Sequence, residues 1–273
     1  MFHFIKLLYG YTLHPIMTSK KAALLYGINY IQSPEMQLRG CWNDAMLLNS
    51  LLINEPYNFP QSSIEMVLDN DYSNKTGKYA MLCALYKMAL KSWTENLETV
   101  VVSYSGHGTN VVDFNGDEAD GRDEGICPSD CQTAGLILDD QLYSIFKQFN
   151  PKTTIYVIID SCHSGTMLDL PFSSNLINIK PTESIVSPHI IMVSGCMDIQ
   201  YAADTYNYKT RKFGGALTMS IVDVLQNKKE GLLDFFGKLK ENVKMHGYPQ
   251  IPILSSSKPL TNDIHLFIST NIF

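Results

Sequence analysis

Short apolar runs recur along the chain and alternate with segments of helical periodicity. Each run has the length of one β-strand, and several contain hardly any polar residue. Strands buried on both faces of a parallel sheet show this pattern, because helices cover both sides. We assign strands to residues 22–30, 63–68, 99–104, 154–160 and 189–195, and to residues 264–269 as the strand that closes the sheet.

Helical periodicity fills the segments between these runs. Residues 43–54 predict a helix with Asn43 or Asp44 as its N-cap. Further helices are predicted for residues 78–93, 139–149, 214–226 and 232–245. The apolar stripe of the 78–93 helix is formed by Tyr79, Leu82, Tyr86, Ala89, Leu90 and Trp93. The alternation of strands and helices predicts an α/β fold with a mostly parallel sheet that is flanked by helices on both faces.

All of the net charge comes from one stretch. The chain of 273 residues has 21 basic and 27 acidic residues, a formal charge of −6. Nine carboxylates and one base, Arg122, lie between residues 113 and 140, so this acidic window alone carries −8. A mildly acidic chain without a basic face is not a general nucleic-acid binder. Several glycines in the window predict a loop, and a solvated surface loop is the ordinary interpretation of such a charge run.

The cysteines and the N-terminal segment indicate the cellular compartment of the protein. Six scattered cysteines are too few for a disulfide framework, which favours a reducing compartment such as the cytoplasm. Residues 1–20 are apolar but contain His3, Lys6, His14 and Pro15, so we interpret them as an N-terminal extension rather than a signal peptide. No run reaches the roughly 18 apolar residues of a transmembrane helix, and we expect no membrane association.

Two of the predicted strands end in loops rich in glycine and serine. One loop contains His107 and Gly108, and the other contains Cys162. Ligands bind beyond the carboxyl ends of parallel strands, so His107 and Cys162 meet there if the two strands are neighbours. A thiol beside an imidazole is the minimum for nucleophilic catalysis, and the amides of Gly108 and Cys162 could then hold an oxyanion.

Other roles for this pair stay open from the residues alone. Cys162 could be a small buried apolar residue, and a Cys–His pair could also bind a metal ion. His163 competes with His107 as the partner, but adjacent side chains of an extended segment point to opposite faces, which favours His107. By the same period, Ser105 and Asp160 face the same side as His107 and Cys162. A carboxylate next to a thiol disfavours the thiolate, so Asp160 is better explained as a ligand for a cationic substrate group, with a salt-bridged structural role as the alternative.

A set of short motifs occurs in a fixed order between residues 21 and 226. The motifs are LLYGINY at 24–30, GCWND at 40–44, YSGHG at 104–108, DEGICP at 123–128, residues 135–140, DSCHSG at 160–165 and SGC at 194–196. Together they resemble the metacaspase family, whose members are Cys–His endopeptidases with a caspase-like fold. The resemblance implies that His107 and Cys162 form the catalytic dyad and that cleavage follows Arg or Lys.

The resemblance also implies roles for the carboxylates. It assigns an acidic S1 pocket to Asp44 and Asp160, with Cys41 and Ser105 on its wall. Metacaspases are often calcium-dependent, and the family's Ca²⁺ site corresponds here to Asp123, Asp139, Asp140 and Asp169. Clustered carboxylates suit a hard divalent cation and repel each other without one.

The family pattern divides the chain into an extension (1–20), a large catalytic region (21–172), a connector (173–188) and a small region (189–273) within one compact caspase-like domain. It implies a monomer whose partners are protein or peptide substrates with a basic P1 residue. The alternative is a catalytically silent caspase-like module that binds partner proteins through the same pocket, and the intact dyad counts against it.

Overall fold

The computed structural model describes residues 20–112, 122–162, 164–165, 167–174, 187–195, 204–207, 212–248 and 250–268, with the backbone alone for 204–207. The strands are β1 (Lys21–Gly27), β2 (Ile64–Leu68), β3 (Thr99–Ser105), β4 (Gly108–Val112), β5 (Arg122–Ile126), β6 (Ile137–Leu138), β7 (Thr154–Asp160), β8 (Phe172–Ser173), β9 (His189–Ser194), β10 (Asp204–Asn207), β11 (Lys212–Gly215) and β12 (Ile253–Ser256). The α-helices are α1 (Cys41–Ile53), α2 (Lys78–Thr94), α3 (Cys131–Ala134), α4 (Asp139–Phe146), α5 (Ala216–Leu225) and α6 (Leu232–Met245).

A seven-stranded sheet forms the centre of the fold, in the order β2-β1-β3-β7-β9-β12-β8. The first five strands in this order run parallel, and β12 is antiparallel to both β9 and β8. Adjacent residues of β1 point to opposite sides. Leu24 packs in one core with Met81 of α2, whereas Leu25 packs in another with Leu48 of α1 and Phe235 of α6. Helices therefore cover both faces of the sheet, which confirms the predicted α/β class.

The apolar stripe that we predicted for α2 is correct for Ala89, which is buried, and for Leu82, which packs partly buried against the same core, but it is wrong for the other four residues. The helix itself spans Lys78–Thr94 as expected, but it buries Met81, Leu85, Met88 and Ala89 against the sheet. The residues Tyr79, Tyr86, Leu90 and Trp93 are exposed instead. Both sides of this helix carry large apolar side chains, so helical periodicity identifies the helix but not the side that packs.

The strand that closes the sheet is also different from the prediction. Residues 264–268 form no strand, and His265 makes only an isolated bridge to Gly231. The sheet continues through Ile253–Ser256, where Ser255 and Ser256 are buried. Because two of its four residues are serines, this buried strand does not form an apolar run in the sequence.

Part of the acidic window is a sheet rather than a loop. Strands β4, β5 and β6 form a separate three-stranded antiparallel sheet, and β5 lies inside the window. Residues 113–121 lie outside the described residues. Helix α1 starts earlier than predicted, at Cys41, so Asn43 and Asp44 lie in its first turn and Gly40 is the N-cap. Within the described part of the chain, no helix is long and apolar enough to cross a membrane.

A partly buried histidine at the start of β9 makes stability depend on pH. His189 Nε2 lies 2.9 Å from the hydroxyl of Ser256. Burial, with a smaller effect of Lys258, lowers the pKa of His189 from 6.5 to about 4. The unfolded chain therefore binds this proton more readily than the folded chain between these two values. The stability gained with neutral His189 is present above pH 6.5 and is lost as the pH falls towards 4.

We expect the free energy of unfolding to fall by up to about 3 kcal/mol between pH 6.5 and 4 because of this residue. Urea denaturation at a series of pH values measures it. His189→Gln should flatten this part of the pH curve, whereas His246→Gln, at an exposed position, should not. An unchanged slope in His189→Gln would contradict the assignment.

Candidate active site

The carboxyl ends of β3 and β7 lie side by side, which brings the two predicted catalytic loops to one edge of the sheet. The parallel register pairs Ser105 with Asp160, the last residues of the two strands. A Cβ atom on Gly108 would overlap the carbonyl oxygen of Cys162 and lie 2.7 Å from Oγ of Ser161. The backbones of the two loops are therefore in direct contact, and only glycine allows this approach.

The imidazole of His107 is held by two contacts. Its Nε2 lies 2.7 Å from the carbonyl oxygen of Met36. A carbonyl only accepts hydrogen bonds, so this contact places the proton on Nε2 and leaves Nδ1 as the nitrogen that can accept another proton. The ring of Tyr30 packs against the imidazole, with 4.8 Å between the ring centroids. A general acid/base needs an orientation fixed in this way.

The Met36 carbonyl is a site component that the sequence analysis missed. It ends a 3₁₀-helix, Pro34–Met36, and a side chain of that helix is tied to α3 by the 2.9 Å hydrogen bond from Gln132 Nε2 to Glu35 Oε1. Every residue has a backbone carbonyl, so the residue type cannot show which carbonyl accepts a hydrogen bond from the imidazole. The one local signal is Pro34, which favours the first position of a helix.

Burial distinguishes Cys162 from two of the other cysteines. Cys162 is partly exposed, whereas Cys41 and Cys127 are buried. Burial, with smaller effects of Cys131 and Cys162, raises the pKa of Cys127 to about 12. Cys127 therefore stays protonated at neutral pH and is not a nucleophile. His163, the competing partner of Cys162, lies outside the described residues.

Asp44 and Asp160 meet at the start of α5. The two carboxylates are 1% and 4% exposed, respectively. Both oxygens of Asp44 accept from the backbone N–H of Gly215, at 2.9 and 3.0 Å, and Asp160 Oδ2 accepts from the N–H of Thr218 at 2.8 Å. A Cβ atom on Gly215 would overlap the Asp160 carboxylate. Carboxylates are favoured at a helix N-terminus, so these contacts stabilise the junction of β11 and α5.

The other two predicted pocket residues lie in the same region. Ser105 is buried between Gly27 of β1 and Asp160 of β7 in the strand register. Cys41 begins α1, and its carbonyl packs so tightly against Gly27 that a Cβ atom there would overlap it. The structure therefore brings Cys41, Asp44, Ser105 and Asp160 to the sheet edge that carries His107 and Cys162.

The carboxylates that we expected to bind Ca²⁺ are divided between buried and exposed positions. Asp123 in β5 and Asp139 at the start of α4 are buried, whereas Asp140 and Asp169 are exposed. Gly125 of β5 pairs with Leu138 of β6, the residue before Asp139, so α4 begins directly after a strand that is paired with β5. In the ranges that the structure covers, no three His, Cys, Asp or Glu side chains are grouped as a metal site.

Comparison with known proteins identifies the family of this chain. The family profile "Metacaspase, peptidase C14 domain" matches residues 20–171, which include every candidate site residue. The chain belongs to the metacaspase family. This confirms the resemblance that the motifs indicated.

Two metacaspases and one solved structure show how far the similarity extends. Metacaspase-1 of Arabidopsis thaliana is 34% identical over 228 residues, which are 78% of this chain and 61% of that protein. Metacaspase-1B of Aspergillus niger is 35% identical over 192 residues, 69% of this chain and 42% of that protein. A protein from Geobacter sulfurreducens has a similar fold, with a TM-score of 0.60, 22% identity, and coverage of 88% of this chain and 94% of its own. This metacaspase sequence thus spans about half the length of the two curated relatives.

Glycine substitutions test the contact between Asp160 and the start of α5. Gly215→Ala should lower the free energy of unfolding by roughly 1–3 kcal/mol, because the new methyl group would overlap the Asp160 carboxylate. Gly237→Ala in α6 is the matched control, since a Cβ atom there meets nothing within 4 Å. It should raise stability by about 0.5–1 kcal/mol through helix propensity. Urea denaturation measures both, and equal effects of the two substitutions would disprove the contact.

Proposed function

We propose that this protein is a cysteine endopeptidase that cleaves peptide bonds after Arg or Lys by means of a Cys162–His107 dyad. One observation carries the proposal: the Gly108 backbone packs against the Cys162 backbone, next to an imidazole whose Nε2 is held by the Met36 carbonyl. A thiol and a preoriented imidazole at the carboxyl ends of two parallel strands form the minimal apparatus for acyl transfer. The metacaspase relatives support the same chemistry.

The proposed reaction has two halves. Nδ1 of His107 accepts the thiol proton of Cys162 while Sγ attacks the carbonyl carbon of the scissile bond, and the amides of Gly108 and Cys162 stabilise the oxyanion. His107 donates a proton to the leaving amine, the C–N bond breaks, and a thioester remains on Cys162. A water molecule then attacks the thioester while His107 accepts its proton. The C–S bond breaks, the acid product leaves, and His107 returns the proton to the Cys162 sulfur.

The preference for a basic P1 residue rests on Asp44 and Asp160. Two almost fully buried carboxylates converge on one segment, around Gly215. A carboxylate accepts about four hydrogen bonds, so each can bind this backbone and also a guanidinium or ammonium group. A buried positive charge needs such a partner, whereas an acidic P1 side chain would be repelled.

We also propose Ca²⁺ as an activator, held by oxygen atoms of Asp123, Asp139, Asp140 and Asp169. Oxygen donors of this type are those that Ca²⁺ prefers, although the described side chains are not grouped as a closed site. Asp123 lies in β5, which pairs with the strand that begins at Gly108. A cation that drew these carboxylates together would reduce their repulsion and order the sheet next to the dyad. In this proposal the enzyme acts in the cytoplasm as a monomer on protein or peptide substrates.

A peptide assay tests the nucleophile and the specificity. Matched substrates ending in Arg, Lys, Gln or Asp should be cleaved after Arg and Lys, and Cys162→Ala should abolish cleavage. Asp160→Asn should lower the preference for Arg over Gln at least about tenfold, because the buried cation loses its charge partner. Asp223→Asn, at an exposed position, should leave the preference unchanged. Cleavage after Asp would refute the proposal, and binding of Arg peptides without turnover would support the silent module instead.

Calcium dependence is tested separately. Asp140→Ala should lower activity at limiting Ca²⁺ and leave the melting temperature without Ca²⁺ unchanged, because Asp140 is exposed. Ca²⁺ should raise the melting temperature of the wild-type protein more than that of Asp140→Ala, since a ligand stabilises the state that binds it. Asp223→Ala serves as the charge-matched control. The same calcium response in Asp140→Ala and wild type would rule out this ligand.

A further inference from the structure

We propose that Tyr30 and Tyr104 are positioning residues for His107, and that their hydroxyls fix the backbone from which the imidazole projects. The inference rests on the proposed Cys–His function. It concerns two buried phenols that the sequence analysis gave no role, although both lie within motifs that it singled out.

The two hydroxyls bind the peptide groups of His107 on both sides. The N–H of His107 donates to the Tyr30 hydroxyl at 2.9 Å, and the Tyr104 hydroxyl donates to the His107 carbonyl at 2.6 Å. Tyr30 donates in turn to the carbonyl of Cys127 at 2.7 Å, and Tyr104 accepts from the N–H of Cys127 at 3.2 Å. The hydroxyl oxygens are 3.0 Å apart. One compact network therefore holds His107 to Cys127, the residue that follows β5.

Tyr30 also connects this network to the Met36 carbonyl, which orients the imidazole of His107. Its own carbonyl accepts from the N–H of Ser33 at 2.9 Å, and the Ser33 carbonyl accepts from the N–H of Met36 at 2.9 Å. The Met36 carbonyl then binds His107 Nε2. Tyr30 thus acts on His107 at three places: on its backbone, on one face of its ring, and, through the turn, on Nε2.

The local backbone is built around these hydroxyls. A Cβ atom on Gly106 would lie 2.5 Å from the Tyr104 hydroxyl and 3.0 Å from that of Tyr30, so the residue before His107 has no space for a side chain. Tyr30 has φ of 56°, a left-handed conformation that is rare and strained for a bulky residue. Such strain persists where surrounding contacts compensate for it, and it is concentrated at functional sites.

Both phenols stay protonated across the neutral pH range. Desolvation raises the pKa of Tyr30 and of Tyr104 well above 10. They therefore keep donating to the Cys127 and His107 carbonyls across the neutral pH range. Positioning requires hydrogen bonds that do not change during the reaction. The imidazole gains and loses a proton, whereas the two hydroxyls keep the same donors and acceptors throughout.

Removing single hydroxyl groups tests the proposal. Tyr30→Phe and Tyr104→Phe keep the ring and lose the bonds to His107. Tyr26→Phe and Tyr156→Phe are matched controls, because each loses a buried hydroxyl that donates to a backbone carbonyl at 3.1 Å, of Met81 or His265, without touching His107. All four variants are assayed at a temperature at which circular dichroism shows them folded.

We expect Tyr30→Phe and Tyr104→Phe to lower kcat about ten- to a hundredfold, as misplacement of a catalytic group does, with KM within about threefold. The controls should stay within about twofold in both constants. The double variant Tyr30→Phe/Tyr104→Phe should lose less than the product of the single losses, because the two hydroxyls act in one network. If kcat in Tyr30→Phe and Tyr104→Phe equals that of the controls, positioning is overturned.

A second measurement does not depend on turnover. The rate of Cys162 alkylation by iodoacetamide, followed by mass spectrometry of the Cys162 peptide, reports on the imidazole beside the thiol. Tyr30→Phe and Tyr104→Phe should slow it about fivefold or more relative to Tyr26→Phe and Tyr156→Phe. Equal alkylation rates would overturn the inference. A wild-type protein that cleaves nothing would overturn the proposed function alone, while the alkylation rates would still decide the role of the two tyrosines.

Discussion

The parallel pairing of β3 with β7 is the constraint on which the rest of the site depends. Seven residue pairs, from Thr99–Thr154 to Ser105–Asp160, fix the register. A slip of one residue would exchange the two faces of β7 and remove Asp160 from the side that faces α5. His107 and Cys162 each follow the last pair, Ser105–Asp160, by two residues. The register therefore places both residues at the same level along the two strands. The approach of His107 to Cys162 thus follows from the backbone hydrogen bonds between the two strands.

Backbone groups, together with the tyrosine side chains, hold the residues of the candidate site in place. The Met36 carbonyl assigns the tautomer of His107, backbone N–H groups of Gly215 and Thr218 bind Asp44 and Asp160, and the Gly108 backbone contacts Cys162. The contacts at Gly108 and Gly215 require a residue without a Cβ at the point of closest approach. The glycines around the site are therefore as necessary to its geometry as the residues that react.

The sequence predicted the parts of the fold that depend on continuous burial. The long strands, the helices around 78–93 and 232–245, and the convergence of His107 with Cys162 follow from apolar runs that end in glycine-rich loops. It did not predict the packing side of α2, because Tyr79 and Trp93 carry large apolar surfaces, as Met81 and Leu85 do. It missed the strand Ile253–Ser256, because its two buried serines are residues that are typical of loops. It also missed the Met36 carbonyl and the Tyr30–Tyr104 network, since backbone acceptors and hydroxyl contacts are properties of the tertiary structure.

The central sheet continues across the connector, and this has a mechanical consequence. Strands β9 and β12, which follow residues 175–186, extend the same sheet as β7, and Leu217, Phe235 and Leu254 share a core with Leu25 of β1. A cut in the backbone between residues 174 and 187 would break one covalent bond and leave this core and the β7–β9 ladder intact. The two fragments would stay associated as a noncovalent complex, and the junction at Gly215 would still be held by carboxylates from the other fragment. Covalent continuity and structural integrity are therefore separate properties of this chain.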